Sequence, residues 1–219
     1  MLKDTSQLVE IDGWVMRQHR PAGDGPCSLI VMLHGWTGDE NAMWVFASRL
    51  PQDAWLVAPR GLYPAPTGGY AWHAYKPRMW PWVDDFRPAV EALLELLTPE
   101  NFPGADFSKL RLVGFSQGAA LAFTLALLHP GRICTLAGLS GFLPDGAAAL
   151  AAGQPLRGIP LFMAHGSQDA LVPVERARQA VELLEQAGAQ VSYCEDDVGH
   201  KLSAGCFRGL EAFFRRICA

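Results

Sequence analysis

Short runs of consecutive apolar residues alternate along this chain with longer segments whose apolar residues recur at helical spacing. Each short run has the length of a buried strand and is typical of a parallel sheet that is covered on both faces. The runs that predict strands are Ser28–Leu33, Trp55–Ala58, Leu110–Val113, Thr135–Leu139, Leu161–Ala164 and Ala189–Tyr193. A further segment, Leu8–Met16, alternates only loosely and predicts an antiparallel edge strand.

Helical segments fall between these strands. The segment over 175–187 is strongly amphipathic and is followed by Gly188, a typical C-terminal cap. The predicted helices are Asn41–Leu50, Phe86–Leu97, Gln117–His129, Glu175–Ala187 and about Cys206–Ile217, with Ala147–Ala152 as a helical turn. This alternation predicts an α/β fold with a mostly parallel central sheet flanked by helices.

A length of 219 residues fits one large domain or two small ones, and the absence of an internal repeat or linker predicts a single α/β-hydrolase domain over residues 1–219. Half of the 219 residues are apolar, which is enough to bury a core, and no linker or low-complexity tract interrupts the pattern. The segment between Leu139 and Ile159 is too short to hold a separate cap domain.

Charge and hydropathy exclude several classes of function. A net charge of -4 without a dense Lys/Arg run argues against a nucleic-acid partner. No apolar window is long enough for a membrane span, and residues 1–7 lack the core of a signal peptide. The scattered cysteines predict free thiols in a reducing, cytoplasmic location, with a disulfide or a reactive thiol as the alternatives. These cysteines are Cys27, Cys134, Cys194, Cys206 and Cys218.

The stretch Gly114-Phe115-Ser116-Gln117-Gly118 carries the pattern Gly-x-Ser-x-Gly. It lies between a predicted buried strand and a predicted buried helix, the setting in which this pattern forms a nucleophile elbow. Such a turn exposes the serine hydroxyl to a general base, and the start of the helix offers backbone N–H groups to an oxyanion. We therefore predict Ser116 as a catalytic nucleophile.

A serine nucleophile needs a base, and the base needs an acid that orients it. Asp169 and His200 each follow a predicted strand, and they come in the chain order that α/β-hydrolases use. Strand ends of this kind gather at one edge of a parallel sheet. Asp196 and Asp197 are rival acids on the same loop as His200. A surface position without a catalytic role is the alternative for His200.

The oxyanion hole needs two backbone donors. One is predicted to be the N–H of Gln117, the residue after the nucleophile. The other is predicted to come from the loop His34–Glu40, after the first central strand, and we assign it to the N–H of Trp36. A glycine-rich turn without catalytic duty is the alternative for this loop.

Together these residues resemble the phospholipase/carboxylesterase group of α/β-hydrolases, which includes the acyl-protein thioesterases. The resemblance covers nearly the whole chain and rests on motifs that occur in order. They are His34-Gly35 with Gly38-Asp39-Glu40, Gly114-Phe115-Ser116-Gln117-Gly118, Leu139-Ser140-Gly141-Phe142-Leu143-Pro144, His165-Gly166 with Asp169, Val172-Pro173 and Gly199-His200. The resemblance implies an α/β-hydrolase fold without a cap domain, a Ser116-His200-Asp169 triad, and neither a metal nor an organic cofactor.

One departure bears on the substrate. Eukaryotic thioesterases carry Leu-Gly-Asp after the His-Gly pair, whereas this chain carries Trp36-Thr37-Gly38-Asp39-Glu40. This resembles the bacterial branch and favours a general esterase over a depalmitoylating enzyme. The predicted activity is hydrolysis of small-molecule carboxylic esters with small or medium acyl chains, with thioesters left open. Acyl transfer to an alcohol and ligand binding without turnover are the other two hypotheses.

An aromatic segment over 70–82 gives a further clue to the substrate. It holds three of the seven tryptophans, and an aromatic wall suits an apolar acyl or alcohol group. We predict that Trp72, Phe142 and Leu171 line the substrate pocket. The alternatives for the segment are a cover for the sheet edge and a subunit contact, so a homodimer is retained as an expectation.

Overall fold

The structure, a computed structural model, describes residues 6–23, 26–77 and 80–217. The strands are β1 (Gln7–Ile11), β2 (Trp14–His19), β3 (Cys27–Leu33), β4 (Trp55–Pro59), β5 (Tyr63–Pro64), β6 (Tyr70–Ala71), β7 (Ala105–Phe115), β8 (Thr135–Leu139), β9 (Pro160–Gly166) and β10 (Gln190–Asp196). The α-helices are α1 (Trp44–Ala47), α2 (Val83–Leu96), α3 (Gln117–Leu128), α4 (Ala147–Ala151), α5 (Val174–Gln186) and α6 (Ala204–Ile217).

Eight of these strands form one sheet in the order β1-β2-β4-β3-β7-β8-β9-β10. Within this sheet, neighbouring strands pair in parallel along β4-β3-β7-β8-β9-β10. At one edge, β1 pairs antiparallel with β2, and β2 pairs antiparallel with β4. The carboxyl ends of β3, β7, β9 and β10 therefore meet along one side of the sheet, which is where open parallel sheets carry their sites.

The sheet is buried on both faces. Leu29 and Val31 of β3 pack with α2, α3, α4 and α5 on one face, whereas Ile30 and Met32 pack with α1 and α6 on the other. Both sets of side chains are fully buried, which explains why the strand is a continuous apolar run rather than an alternating one. Helix α3 is buried over 117–127, as a helix that is apolar on all sides requires.

Two predicted elements take a different form. The edge strand over 8–16 is a hairpin of β1 and β2, because Asp12 and Gly13 turn the chain with φ values of 49° and 77°. An Asp-Gly pair favours this turn, in which both central residues have positive φ. The helix predicted over 41–50 shortens to α1, because the flanking backbone makes tighter bonds, such as the Trp44 N–H to the Asn41 carbonyl.

The segment between β8 and β9 is described throughout, and α4 is its α-helix. Within the described ranges, no helix has the length and hydropathy needed to cross a membrane. The single domain over residues 1–219 stays a prediction, because both chain ends lie outside the described residues.

Candidate active site

Ser116 occupies the turn between β7 and α3. Its backbone adopts φ 52° and ψ -115°, a conformation that is strained for a residue with a side chain and that is found mainly at functional sites. The turn is held in place because the Ser116 N–H donates to the Leu139 carbonyl at 2.8 Å, while the Ser116 carbonyl accepts from Ala119. This is the geometry of a nucleophile elbow.

The glycines on either side of Ser116 are required by close packing. A Cβ atom at Gly114 would lie 2.3 Å from the carbonyl oxygen of Gly118. A Cβ atom at Gly118 would lie 2.0 Å from the carbonyl oxygen of Leu33, at the end of β3. Both distances are far shorter than a non-bonded contact, so the elbow can form only with glycine at these two positions.

Asp169 and His200 are brought together by the loops after β9 and β10. The Nδ1 atom of His200 lies 2.6 Å from Oδ2 of Asp169, whose side chain is fully buried. The other carboxylate oxygen accepts the backbone N–H groups of Leu171 and Val172, each at 2.9 Å. Because His200 donates through Nδ1–H, its Nε2 atom is left as a base.

A buried histidine supports the loop that carries Asp169. His165 lies at the end of β9, and its Nε2–H donates to the Val172 carbonyl at 2.8 Å. Its Nε2 atom is also 3.4 Å from Oδ2 of Asp169. Burial lowers the pKa of His165, which keeps the ring neutral. His165 therefore supports this loop through a local hydrogen bond.

Ser116 and His200 face the same cavity, whose volume is about 580 Å³. Trp36 and Gln117, the two residues assigned to the oxyanion hole, also line it. Among the described residues, the Ser116 hydroxyl makes no direct hydrogen bond to the His200 ring. Catalytic bonds of this kind are often long in unliganded enzymes and tighten when substrate binds.

Two of the three predicted pocket residues line the cavity, and the third does not. Phe142 and Leu171 line the cavity, with Phe142 buried and Leu171 exposed at its mouth. Trp72 does not line it, and its prediction as a pocket residue is wrong. Its side chain is fully buried beneath the loop after β3, where the indole N–H donates to the His34 carbonyl.

Other side chains of the aromatic segment supply the wall that was expected from Trp72. Tyr75 and Trp80 line the cavity, and the Trp80 ring packs edge-on against Phe142 with centroids 4.9 Å apart. Lys76 and Asp85 form an ion pair within the lining, which a hydropathy pattern does not signal. The aromatic composition of the segment predicts an aromatic wall but does not identify which rings face the cavity.

A second cavity adjoins the first and has a volume of about 420 Å³. The two share Gly35, Trp36, Thr37 and Phe115. Apart from Lys201, the side chains lining the second cavity are uncharged and mostly apolar, and they include residues of α1 and α6. The Ser116 elbow therefore borders two mostly apolar spaces.

In the described part of the chain, no cluster of three or more His, Cys, Asp or Glu residues could hold a metal ion.

The prediction that the cysteines are free thiols is wrong for two of them. Cys194 of β10 and Cys206 of α6 form a disulfide, because the sheet edge and the helix bring them together. Cys27 and Cys134 are free, and Cys218 lies outside the described residues. The disulfide closes a ring of chain that contains His200.

Removing this disulfide is expected to destabilise the fold. The two cysteines are 12 residues apart, and opening a ring of this size costs about 3 kcal/mol in unfolding free energy. The double variant Cys194→Ser with Cys206→Ser should show this loss in urea titrations followed by tryptophan fluorescence. A reductant should lower the unfolding free energy of the wild type to that of the variant and leave the unfolding free energy of the variant unchanged. Equal midpoints for oxidised wild type and variant would contradict the expectation.

A profile of the phospholipase/carboxylesterase family matches residues 21–217. The chain belongs to the phospholipase/carboxylesterase family. A solved structure of a carboxylesterase from Mesorhizobium loti superposes with a TM-score of 0.80 at 22% identity, covering 97% of this chain and 99% of that one. This likeness confirms the α/β-hydrolase fold.

The curated relatives match over a shorter part of the chain. A probable inactive carboxylesterase from Oryza sativa subsp. japonica is 28% identical over 121 residues, which cover 54% of this chain and 49% of that protein. Acyl-protein thioesterase 1 from Gibberella zeae is 30% identical over 125 residues, which cover 55% of this chain and 53% of that protein. The chain thus spans about half the length of these curated relatives of the phospholipase/carboxylesterase family.

Proposed function

We propose that this protein is a serine hydrolase that cleaves carboxylic esters, with thioesters as a second substrate class. The observation that carries the proposal is the 2.6 Å contact between His200 and Asp169 at the cavity that Ser116 also lines. The family supports the same activity, since relatives are named as carboxylesterases and acyl-protein thioesterases. In this proposal Ser116 is the nucleophile, His200 the base and Asp169 the acid that orients the base.

The first half of the reaction would acylate the enzyme. The Ser116 hydroxyl oxygen attacks the ester carbonyl carbon while Nε2 of His200 takes its proton. The negative charge that develops on the carbonyl oxygen is bound by the backbone N–H groups of Trp36 and Gln117. The bond to the leaving oxygen or sulfur then breaks, and His200 returns the proton to the leaving group. Buried Asp169 stabilises the transient imidazolium.

The second half would regenerate the enzyme with water. A water molecule enters the cavity once the alcohol or thiol has left, and His200 removes its proton as it attacks the acyl carbon. The same two N–H groups bind the second oxyanion. Collapse of this intermediate breaks the bond to the Ser116 oxygen, which recovers its proton from His200, and releases the carboxylic acid.

The shape and lining of the cavity suit an apolar substrate of small or medium size. A volume of about 580 Å³ lies in the usual range for small-molecule sites, and Tyr75, Trp80 and Phe142 give it an aromatic wall. The adjoining cavity, which Phe115 also lines, offers room for a second apolar group, so that one cavity can take the acyl group and the other the alcohol. An ester of two modest apolar groups fits this arrangement.

Three finer expectations stay predictions: the assignment to the bacterial branch, the homodimer and the cytoplasmic location. The Cys194–Cys206 disulfide argues against the cytoplasmic location, because such bonds persist mainly in oxidising compartments. Binding without turnover is a second candidate, since a rice relative is named as probably inactive. The presence of Ser116, His200 and Asp169 in this chain supports turnover.

A fluorophosphonate probe tests the proposal directly, because it phosphonylates only an activated serine. We expect the intact protein to be labelled at Ser116, as mapped by peptide mass spectrometry, and heat-denatured protein to remain unlabelled. A panel of p-nitrophenyl esters and acyl thioesters of graded length should then give turnover that peaks at short or medium chains. Labelling at another serine, or tight ligand binding without product release, would contradict the proposal. Added alcohols would divert the acyl group to a new ester if the protein were an acyltransferase.

A further inference from the structure

Trp72, which does not line the cavity, is bonded both to the loop after β3 and to the start of α3, the two segments that carry the proposed oxyanion donors. Its indole Nε1–H donates to the carbonyl of His34 at 2.7 Å. Its backbone N–H donates to Oε1 of the Gln117 side chain at 2.9 Å. His34 precedes the loop of Trp36, and Gln117 is itself the second proposed donor. One fully buried residue is therefore bonded to both halves of the oxyanion hole.

The bond to His34 matters because His34 orients the peptide that carries the Trp36 N–H. The Nε2 atom of His34 accepts the Gly61 N–H at 2.8 Å, so the proton of the neutral ring lies on Nδ1. Burial lowers the pKa of His34, which favours this neutral form. Nδ1 then donates to the Gly35 carbonyl at 2.7 Å. In a trans peptide the C=O and N–H groups point in opposite directions, so the Trp36 N–H points away from the His34 ring.

The chain around Trp72 reinforces this attachment along the oxyanion loop. The Trp72 ring packs on the ring of His34, with centroids 4.9 Å apart. The Thr37 N–H donates to the Tyr70 carbonyl at 3.0 Å, and the Tyr70 N–H donates to the Gly38 carbonyl at 2.9 Å. Tyr70, two residues before Trp72, therefore pairs with the loop through an antiparallel bridge to Gly38.

We propose that Trp72 is a positioning residue that fixes the two backbone donors of the oxyanion hole relative to each other. The inference rests on the proposed hydrolase function. An oxyanion is stabilised only if both donors lie at about 2.7–3.1 Å from it before the reaction begins. The loop after β3 and the start of α3 follow different strands, so a bond to each is needed to fix their relative position. Trp72 bonds to one through the His34 carbonyl and to the other through the Gln117 side chain, without touching the substrate.

The variant Trp72→Phe tests this role, with Trp55→Phe as a matched control. Trp55 is also buried, in β4 at a distance from the cavity, and its indole N–H donates to Oε1 of Gln18 at 2.9 Å. Each variant loses the indole hydrogen bond of a buried tryptophan, and the Trp55 bond is partly buried. Trp72→Phe should lower kcat by about 10- to 100-fold with little change in KM, whereas Trp55→Phe should stay within about twofold.

A boronic acid inhibitor provides a readout that a merely structural role would not move. It forms a tetrahedral adduct with the serine, so its affinity should fall with kcat in Trp72→Phe, while affinity for the planar product acid should not. Equal kcat values in the two tryptophan variants would overturn the inference. A wild type with no turnover and no probe label would instead overturn the proposed function.

A second variant keeps the test decisive if Trp72→Phe does not fold. Gln117→Met keeps the length of the side chain but removes the acceptor for the Trp72 backbone N–H. It should lower kcat by at least about tenfold, because the second donor loses its attachment. A kcat within twofold of wild type would overturn the inference by this route as well.

Discussion

Replacing Ser116 by alanine is expected to lower kcat for ester hydrolysis about a millionfold, the size of loss seen when a triad nucleophile is removed. The hydroxyl oxygen forms the bond to the acyl group, so without it only the oxyanion hole and substrate binding remain. Residual turnover of bound ester would then rest on direct attack by water. Initial rates with a p-nitrophenyl ester, corrected for the uncatalysed reaction, provide the measurement.

Ser140→Ala is the matched control for this change. Ser140 follows β8 as Ser116 follows β7, is fully buried, and also has a positive φ, 47°. Its hydroxyl has no hydrogen-bond partner in the described structure, so its removal should leave kcat within about twofold. Both variants should unfold at temperatures close to that of the wild type. A Ser116→Ala protein that kept a tenth of wild-type activity would rule out Ser116 as the nucleophile.

Replacing Asp169 by asparagine is expected to lower kcat about ten-thousandfold, as happens when a triad acid becomes an amide. The amide can still accept the N–H groups of Leu171 and Val172 through its oxygen, so the loop should keep its shape. Its NH₂ group, however, would face Nδ1 of His200. The ring would have to carry its proton on Nε2, where it cannot accept one from Ser116. Single-turnover kinetics at several pH values measure the effect.

Asp197→Asn is the matched control and also tests a rival acid. Asp197 lies on the same loop as His200 but accepts from the Ser167 hydroxyl at 3.2 Å, not from the imidazole. Its conversion to an amide should change kcat by no more than about twofold. The opposite pattern, with Asp197→Asn inactive and Asp169→Asn active, would transfer the acid's role to Asp197.

The arrangement of the candidate triad could be predicted because its signals are local. Ser116, Asp169 and His200 each follow an apolar run, and parallel strands bring such positions to one side of a sheet. Chain order and strand ends were therefore enough to predict that these side chains share one region. The strain at Ser116, with its positive φ, follows from the glycine spacing of the same short motif.

Features that depend on distant contacts could not be read in this way. The aromatic segment contains several rings, and only the packing of the loop after β3 decides that Trp72 is buried while Tyr75 faces the cavity. The pairing of Cys194 with Cys206 likewise depends on how α6 returns against β10. The hairpin at Asp12 could have been predicted from the local Asp-Gly pair, but the loose alternation of apolar residues around it favours a single strand.

The disulfide beside the proposed base has a consequence for product chemistry. Hydrolysis of an oxygen ester releases an alcohol, which leaves a disulfide intact, whereas hydrolysis of a thioester releases a thiol, the reagent that opens disulfides. Cys206 is only 1% exposed, which slows such attack. During prolonged thioester turnover the released thiol would nevertheless accumulate and reduce the Cys194–Cys206 disulfide, which closes the loop that contains His200. Progress curves with thioesters should therefore bend earlier than those with matched oxygen esters, unless the released thiol is trapped as it forms.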